Sequence, residues 1–96
     1  MARWLIQRRL SQNAARIKRL RAELAQVDEQ MLQFQSDADD TALRALVSET
    51  PGASQEANEA RKHADAMAKH RRHIVDTIAE LEARQDELLD RLATGA

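Results

Sequence analysis

The chain has 96 residues, a formal net charge of −1 and no cysteine, with 32% charged residues and only two aromatic side chains. This length holds one small domain, and the scarcity of β-branched and aromatic residues excludes a β-sandwich or an α/β core. The absence of cysteine excludes a disulfide framework and a thiolate metal site, while the abundance of alanine, glutamate, arginine and leucine is typical of long helices.

The first predicted element is a helix over about residues 3–49. Its apolar residues recur every three to four positions and are interrupted by Asn13. The apolar set is Ile6, Leu10, Ile17, Leu20, Leu24, Val27, Met31, Phe34 and Ala38. A mean spacing of 3.5 residues predicts the seam of a coiled coil.

The stretch 37–41, which reads Asp-Ala-Asp-Asp-Thr, leaves two interpretations of this helix open. If the helix is unbroken, Leu43, Leu46 and Val47 point away from the seam and form an apolar patch beside the turn, a candidate interface. If Asp40 or Thr41 caps a separate short helix, the same leucines turn inward and belong to the core.

Residues 50–53 are the predicted turn. Pro51 cannot continue a helix, and Gly52 can supply the left-handed conformation that such reversals often need. Ser54 is the expected N-cap of the helix that follows.

The second predicted helix covers about residues 54–93 and repeats the same spacing. Its seam contains Ala57, Ala60, Ala64, Met67, Arg71, Ile74, Ile78, Leu81, Gln85, Leu88 and Leu92. Two long helices joined by a short turn pair antiparallel. The sequence therefore predicts an all-α fold, a single antiparallel coiled-coil hairpin over residues 1–96, with Ile17 opposite Leu88 and its midpoint between Gly52 and Ala53. The polar seam residues Asn13, Arg71 and Gln85 are interpreted as register control, with Arg71 reaching past Phe34.

Charge supports the antiparallel arrangement. Residues 1–22 carry +7, residues 23–60 carry −8, residues 61–73 carry +4 and residues 74–96 carry −4. Folding back sets the basic N-terminal block along the acidic C-terminal block, and ion pairs such as Arg21 with Glu82 are expected to flank the seam.

A two-helix strip buries each side chain only in part, so an isolated hairpin of this size is marginally stable. Val75 and Leu89 lie beside the second seam and are the predicted oligomer face. We expect either that two hairpins associate through such apolar positions into a four-helix bundle, a homodimer, or that the hairpin docks on a partner.

No catalytic residue, cofactor site or metal site is predicted. The sequence has no phosphate-binding glycine loop and no nucleophile motif, so an enzyme is not expected. His63, His70 and His73 lie close together, but zinc needs three or four converging ligands, and a solvated basic face is the preferred interpretation.

The predicted function is a non-enzymatic interaction module, an adaptor or regulatory subunit that binds a protein partner through a helix face or the hairpin tip. Candidate partner-binding residues at the tip are Leu43, Leu46 and Val47. Those at the open end and on its basic face are Trp4, Leu5, Arg8, Arg9, Arg16 and Arg19. The less favoured alternative is that this basic amphipathic helix binds an anionic membrane surface or nucleic acid.

The expected location is the bacterial cytoplasm. The apolar run at Trp4, Leu5 and Ile6 is too short for the core of a signal peptide, and no apolar run is long enough to span a membrane. Twelve arginines against three lysines suit a GC-rich genome.

Overall fold

The computed structural model describes residues 2–95. It contains two helices, α1 (Arg3–Ser48) and α2 (Pro51–Thr94), which pack against each other as an all-α helical hairpin. The predicted fold class is confirmed at this level. Over residues 2–95, neither helix has an apolar stretch sufficient to cross a bilayer.

The junction between the helices is shorter than predicted and lies at Glu49 and Thr50. Glu49 is left-handed, with φ of 51°, and its amide donates to the carbonyl of Ala45 at 3.3 Å, which is the αL type of helix end. Gly52 is not the left-handed residue, because it already belongs to the first turn of α2.

Thr50 is the N-cap of α2. Its hydroxyl accepts from the amide of Ala53 at 3.2 Å, and its carbonyl accepts the first helical bond, from the amide of Ser54. Pro51 is then the first helical residue, where its missing N–H costs nothing. The prediction that Ser54 caps α2 is therefore wrong, since Ser54 lies within the helix.

α1 is continuous through the acidic stretch 37–41. Thr41 is buried, and its hydroxyl donates to the carbonyl of Asp37 at 2.7 Å, so its side chain bonds within the helix and caps no new one. The interpretation with an unbroken helix is confirmed, and the alternative with leucines turned into the core is wrong.

Burial follows the predicted seams. Every seam residue predicted from the spacing is buried or half-buried, and this includes the polar residues Asn13, Arg71 and Gln85. The least exposed side chains are Ile6 and Ile74. The apolar spacing therefore identified the packed faces of both helices.

The chain divides into two compact units. The terminal unit contains α1 up to Leu24 and α2 from His73 onward, and its buried apolar residues are Ile6, Ile17, Ile74, Ile78, Leu81 and Leu88. The turn unit, Ala25–Arg72, is packed mainly with small side chains, and its buried residues are Val27, Ala38, Thr41 and Ala64.

The alignment of the helices differs from the prediction by about one heptad. In the terminal unit, Asn13 Nδ2 donates to the carbonyl of Leu81 at 2.8 Å. In the turn unit, Arg71 pairs with Asp28, while Phe34 stacks on His63. The prediction that Ile17 lies opposite Leu88 and that Arg71 passes Phe34 is therefore wrong.

The position of the turn explains the difference. The pairs of residues in contact are centred near Glu49 and Thr50, about three residues before the predicted midpoint. Because a shift of the midpoint moves both arms of the hairpin, three residues at the turn displace one helix along the other by six to seven residues, which is about one heptad repeat. The flanking ion pair Arg21–Glu82 is present as predicted, at 2.8 Å.

Candidate functional site

The tip patch, defined as Leu43, Leu46 and Val47, lies on α1 in the turn unit. These side chains are 64%, 77% and 79% exposed. Leu32, which the sequence reasoning missed, is also 76% exposed. It precedes Leu43 by eleven residues, or about three helical turns, so it faces the same side of α1. That spacing is the signal that could have found it.

The small residues of the turn-unit seam explain why the leucines stay outside. Ala38, Thr41 and Ala64 fill this part of the interface between the helices. Small side chains let the helix backbones approach closely, and a close-packed seam has no room for another leucine. The bulky residues of the tip patch are consequently left on the opposite face of α1.

Acidic groups border the tip patch. Asp39 and Asp40 are exposed within one turn of Leu43. On the flank, Arg44 forms a 3.4 Å ion pair with Glu56 of α2, so this arginine's charge is balanced inside the unit. The patch is therefore apolar with an acidic border.

The open-end residues lie in the terminal unit. Trp4 is 63% exposed and Leu5 is half-buried, while the four candidate arginines are exposed. The structure divides those arginines into two pairs: Arg9 and Arg16 line a groove between α1 and α2, and Arg8 and Arg19 lie outside it.

This groove, here called the basic groove, has a volume of about 520 Å³. Two arginines of α2, Arg84 and Arg91, line it together with Arg9 and Arg16 of α1. The sequence reasoning did not select the α2 arginines. They are the only basic residues in the otherwise acidic segment 74–96, which was the available signal.

Val75 and Leu89, the predicted oligomer face, are 37% and 48% exposed on α2 in the terminal unit. Each side chain is in part covered by its own hairpin. Its remaining exposed surface lies on the flank of the seam and is open to solvent in the single chain.

The three histidines do not converge on a metal. The ring of His63 stacks on Phe34, with centroids 6.2 Å apart and planes 29° apart. Within residues 2–95, no group of three or more histidine, aspartate or glutamate side chains is placed to hold an ion.

No protein-family model, curated protein or solved structure matches this chain.

Proposed function

We propose that the chain is a non-enzymatic interaction module, an adaptor or regulatory subunit, which binds a protein partner through the tip patch. The observation that carries the proposal is the exposure of three bulky apolar side chains, Leu43, Leu46 and Val47, on one unbroken helix. Apolar clusters of this kind at a defined place mark interaction sites more often than scattered single residues do.

The energetics favour a helix-face contact. Covering an exposed leucine or valine is worth roughly 1.5–3 kcal/mol when burial is complete. The tip patch can supply a few such side chains from one helix face, as in the binding of an amphipathic helix through anchors at helical spacing.

The border of the patch indicates the chemistry of the partner. Asp39 and Asp40 lie beside the leucines, and residues 23–60 carry a charge of −8. A complementary partner has an apolar stripe flanked by lysine or arginine, because opposite charge at the rim speeds association and sets orientation.

The test is the double variant Leu43→Ser/Leu46→Ser. Both side chains are exposed, so we expect its melting temperature to remain near that of the wild type, while a stoichiometric protein partner recovered by the wild type is lost. The control is Trp4→Ser, which removes an exposed apolar side chain from the terminal unit and should keep that partner.

Two results oppose the proposal. Partner binding that survives the double variant would place the contact elsewhere on the chain. A large fall in the melting temperature would mean that the leucines belong to the core.

The alternative function, binding of an anionic membrane or nucleic acid by the basic N-terminal face, is supported by the exposure of Trp4 one helical turn from Arg8, with the exposed Arg19 farther along the same helix. Its test is cosedimentation with anionic vesicles and titration with duplex DNA. Arg8→Gln/Arg19→Gln should abolish either interaction, and a partner-binding defect in this variant would argue against the alternative.

A further inference from the structure

The basic groove concentrates positive charge that the rest of the terminal unit does not balance. Four arginines and one carboxylate, Glu87, line it. We infer that the basic groove is a binding site for a linear oligophosphate, a chain of linked phosphate groups that lies between the two rows of arginine.

The placement of the α2 arginines is the first argument. Segment 74–96 has six acids and two basic residues, and both basic residues, Arg84 and Arg91, line the same groove as Arg9 and Arg16 of α1. Like charges that face each other across two helices are unfavourable. An anionic ligand would remove this repulsion.

The second argument is that the charges of the groove arginines are not neutralised by ion pairs with carboxylates of residues 2–95. Within the described part of the chain, Arg9, Arg16, Arg84 and Arg91 are in no ion pair. The groove on the other flank of the terminal unit is different: it contains Lys18 and Arg21 with Glu82 and Asp86, and Arg21 is paired. One groove is thus neutral and the other is strongly basic in the same unit.

The spacing of the arginines indicates the form of the ligand. On each helix the two arginines are seven residues apart, which is roughly 10 Å along the axis. A guanidinium group binds phosphate through two parallel hydrogen bonds. Both pairs can be satisfied together by a ligand with several phosphates in a row, and the groove volume of about 520 Å³ leaves room for such a chain.

The lining disfavours two other polyanions. No aromatic side chain lines the groove, so the stacking platform that single-stranded nucleic acid uses is missing. A membrane surface is flat, whereas these arginines line a groove between two helices. A chain of phosphates without bases fits the charges and needs no stacking.

The experiment is calorimetric titration of the full chain with inorganic tripolyphosphate and with longer polyphosphate at low ionic strength. We expect saturable binding, with an affinity that falls as salt rises. Arg84→Gln/Arg91→Gln should weaken it at least tenfold. The matched control, Lys18→Gln/Arg21→Gln, makes the same change of charge in the neutral groove and should change the affinity less than threefold.

Two further variants separate a binding site from a general charge effect. Glu87→Gln removes the one carboxylate of the groove and should tighten binding. Without ligand, Arg84→Gln/Arg91→Gln should be at least as thermostable as the wild type, because repulsion is reduced, and added polyphosphate should no longer raise its melting temperature. Leu43→Ser/Leu46→Ser should bind polyphosphate like the wild type, so this test is independent of the proposed function.

The inference is overturned by equal losses in the two double variants, by the absence of binding at low salt, or by tighter binding to single-stranded DNA or to anionic vesicles that depends on Arg84 and Arg91.

Discussion

At the scale of single residues, the amide of Asn13 specifies how the helices of the terminal unit align. Its Nδ2 group donates to the carbonyl of Leu81 and to Oε1 of Gln85, and the amide of Gln85 donates to the carbonyl of Leu10. Within residues 2–95, no buried side-chain nitrogen or oxygen lacks a partner. In the alignment one heptad away these amides would face leucines, which costs about 1–3 kcal/mol per unsatisfied group.

We therefore expect Asn13→Ala to lower the free energy of unfolding by about 1–2 kcal/mol, because the Gln85 amide loses its buried partner. Urea unfolding followed by circular dichroism measures the change. The neighbouring exposed residue supplies the control, Gln12→Ala, which should stay within about 0.5 kcal/mol of the wild type. Equal effects of the two variants would mean that the Asn13 contacts contribute nothing specific.

The junction gives a second prediction at this scale. Glu49→Gly should raise the free energy of unfolding by about 0.5–1 kcal/mol, because a left-handed residue with a Cβ is strained and glycine is not. Thr50→Val should lower it by about 0.5–2 kcal/mol through loss of the N-cap oxygen. Thermal unfolding checks both values. Ser54→Ala is the control, and a large effect there would make Ser54 the cap after all.

At the scale of the helices, two alignments compete. A seam that repeats every seven residues remains apolar when one helix slides by seven, so spacing alone leaves the register undecided. The junction resolves this, since α1 ends at Ser48 and α2 begins at Pro51 with only two residues between them. The hydrogen bond from Asn13 to Leu81 and the ion pair between Arg71 and Asp28 agree with the alignment that this short junction imposes.

Cross-linking distinguishes the alignments directly, because the chain has no cysteine of its own. Asp28→Cys/Arg71→Cys places two thiols where the ion pair lies, and a short bifunctional reagent should join them rapidly. Phe34→Cys/Arg71→Cys tests the alignment predicted from the sequence and should react far more slowly. Mass spectrometry of the product under dilute conditions gives the yields. Faster cross-linking of the Phe34→Cys/Arg71→Cys variant than of the Asp28→Cys/Arg71→Cys variant would support the alignment predicted from the sequence.

At the scale of the whole molecule, the buried apolar surface is small for 96 residues. Apart from Ile6 and Ile74, even the seam side chains keep some exposure in the single chain, and the exposed apolar residues lie in both units. Proteins with a small apolar core often gain stability from oligomerisation. A second copy that covers Val75 and Leu89 would add core to the terminal unit.

We therefore expect sedimentation equilibrium to find a dimer at micromolar concentration. Val75→Ser/Leu89→Ser should shift it to monomer and lower the melting temperature, because each serine forfeits about 1–3 kcal/mol of burial in the interface. Leu43→Ser/Leu46→Ser is the control and should remain dimeric. A wild-type chain that stays monomeric at high concentration would remove the four-helix bundle.

Much of this molecule was predictable from the sequence for a simple reason. The seam residues follow from helical periodicity, which is a local property of each helix. The sequence left open whether α1 is continuous through residues 37–41, and the structure decided that Leu43 and Leu46 are exposed. Charge order predicted the Arg21–Glu82 pair, but this pair joins two helices and also depends on their alignment. The basic groove was not predictable in the same way. Arg84 and Arg91 lie far from Arg9 and Arg16 in the sequence, and only the alignment of the helices brings them together.

The sequence by itself determined that the chain forms two helices and which face of each is packed, because spacing and helix propensity act within one helix. The tertiary structure decided where the reversal lies, which residues meet across the seam, and that arginines of both helices share one groove. These three features depend on the junction, where Glu49 rather than a glycine is left-handed and Pro51 is the first residue of α2. Several nearby residues could have made the turn, and each choice moves every contact between the helices.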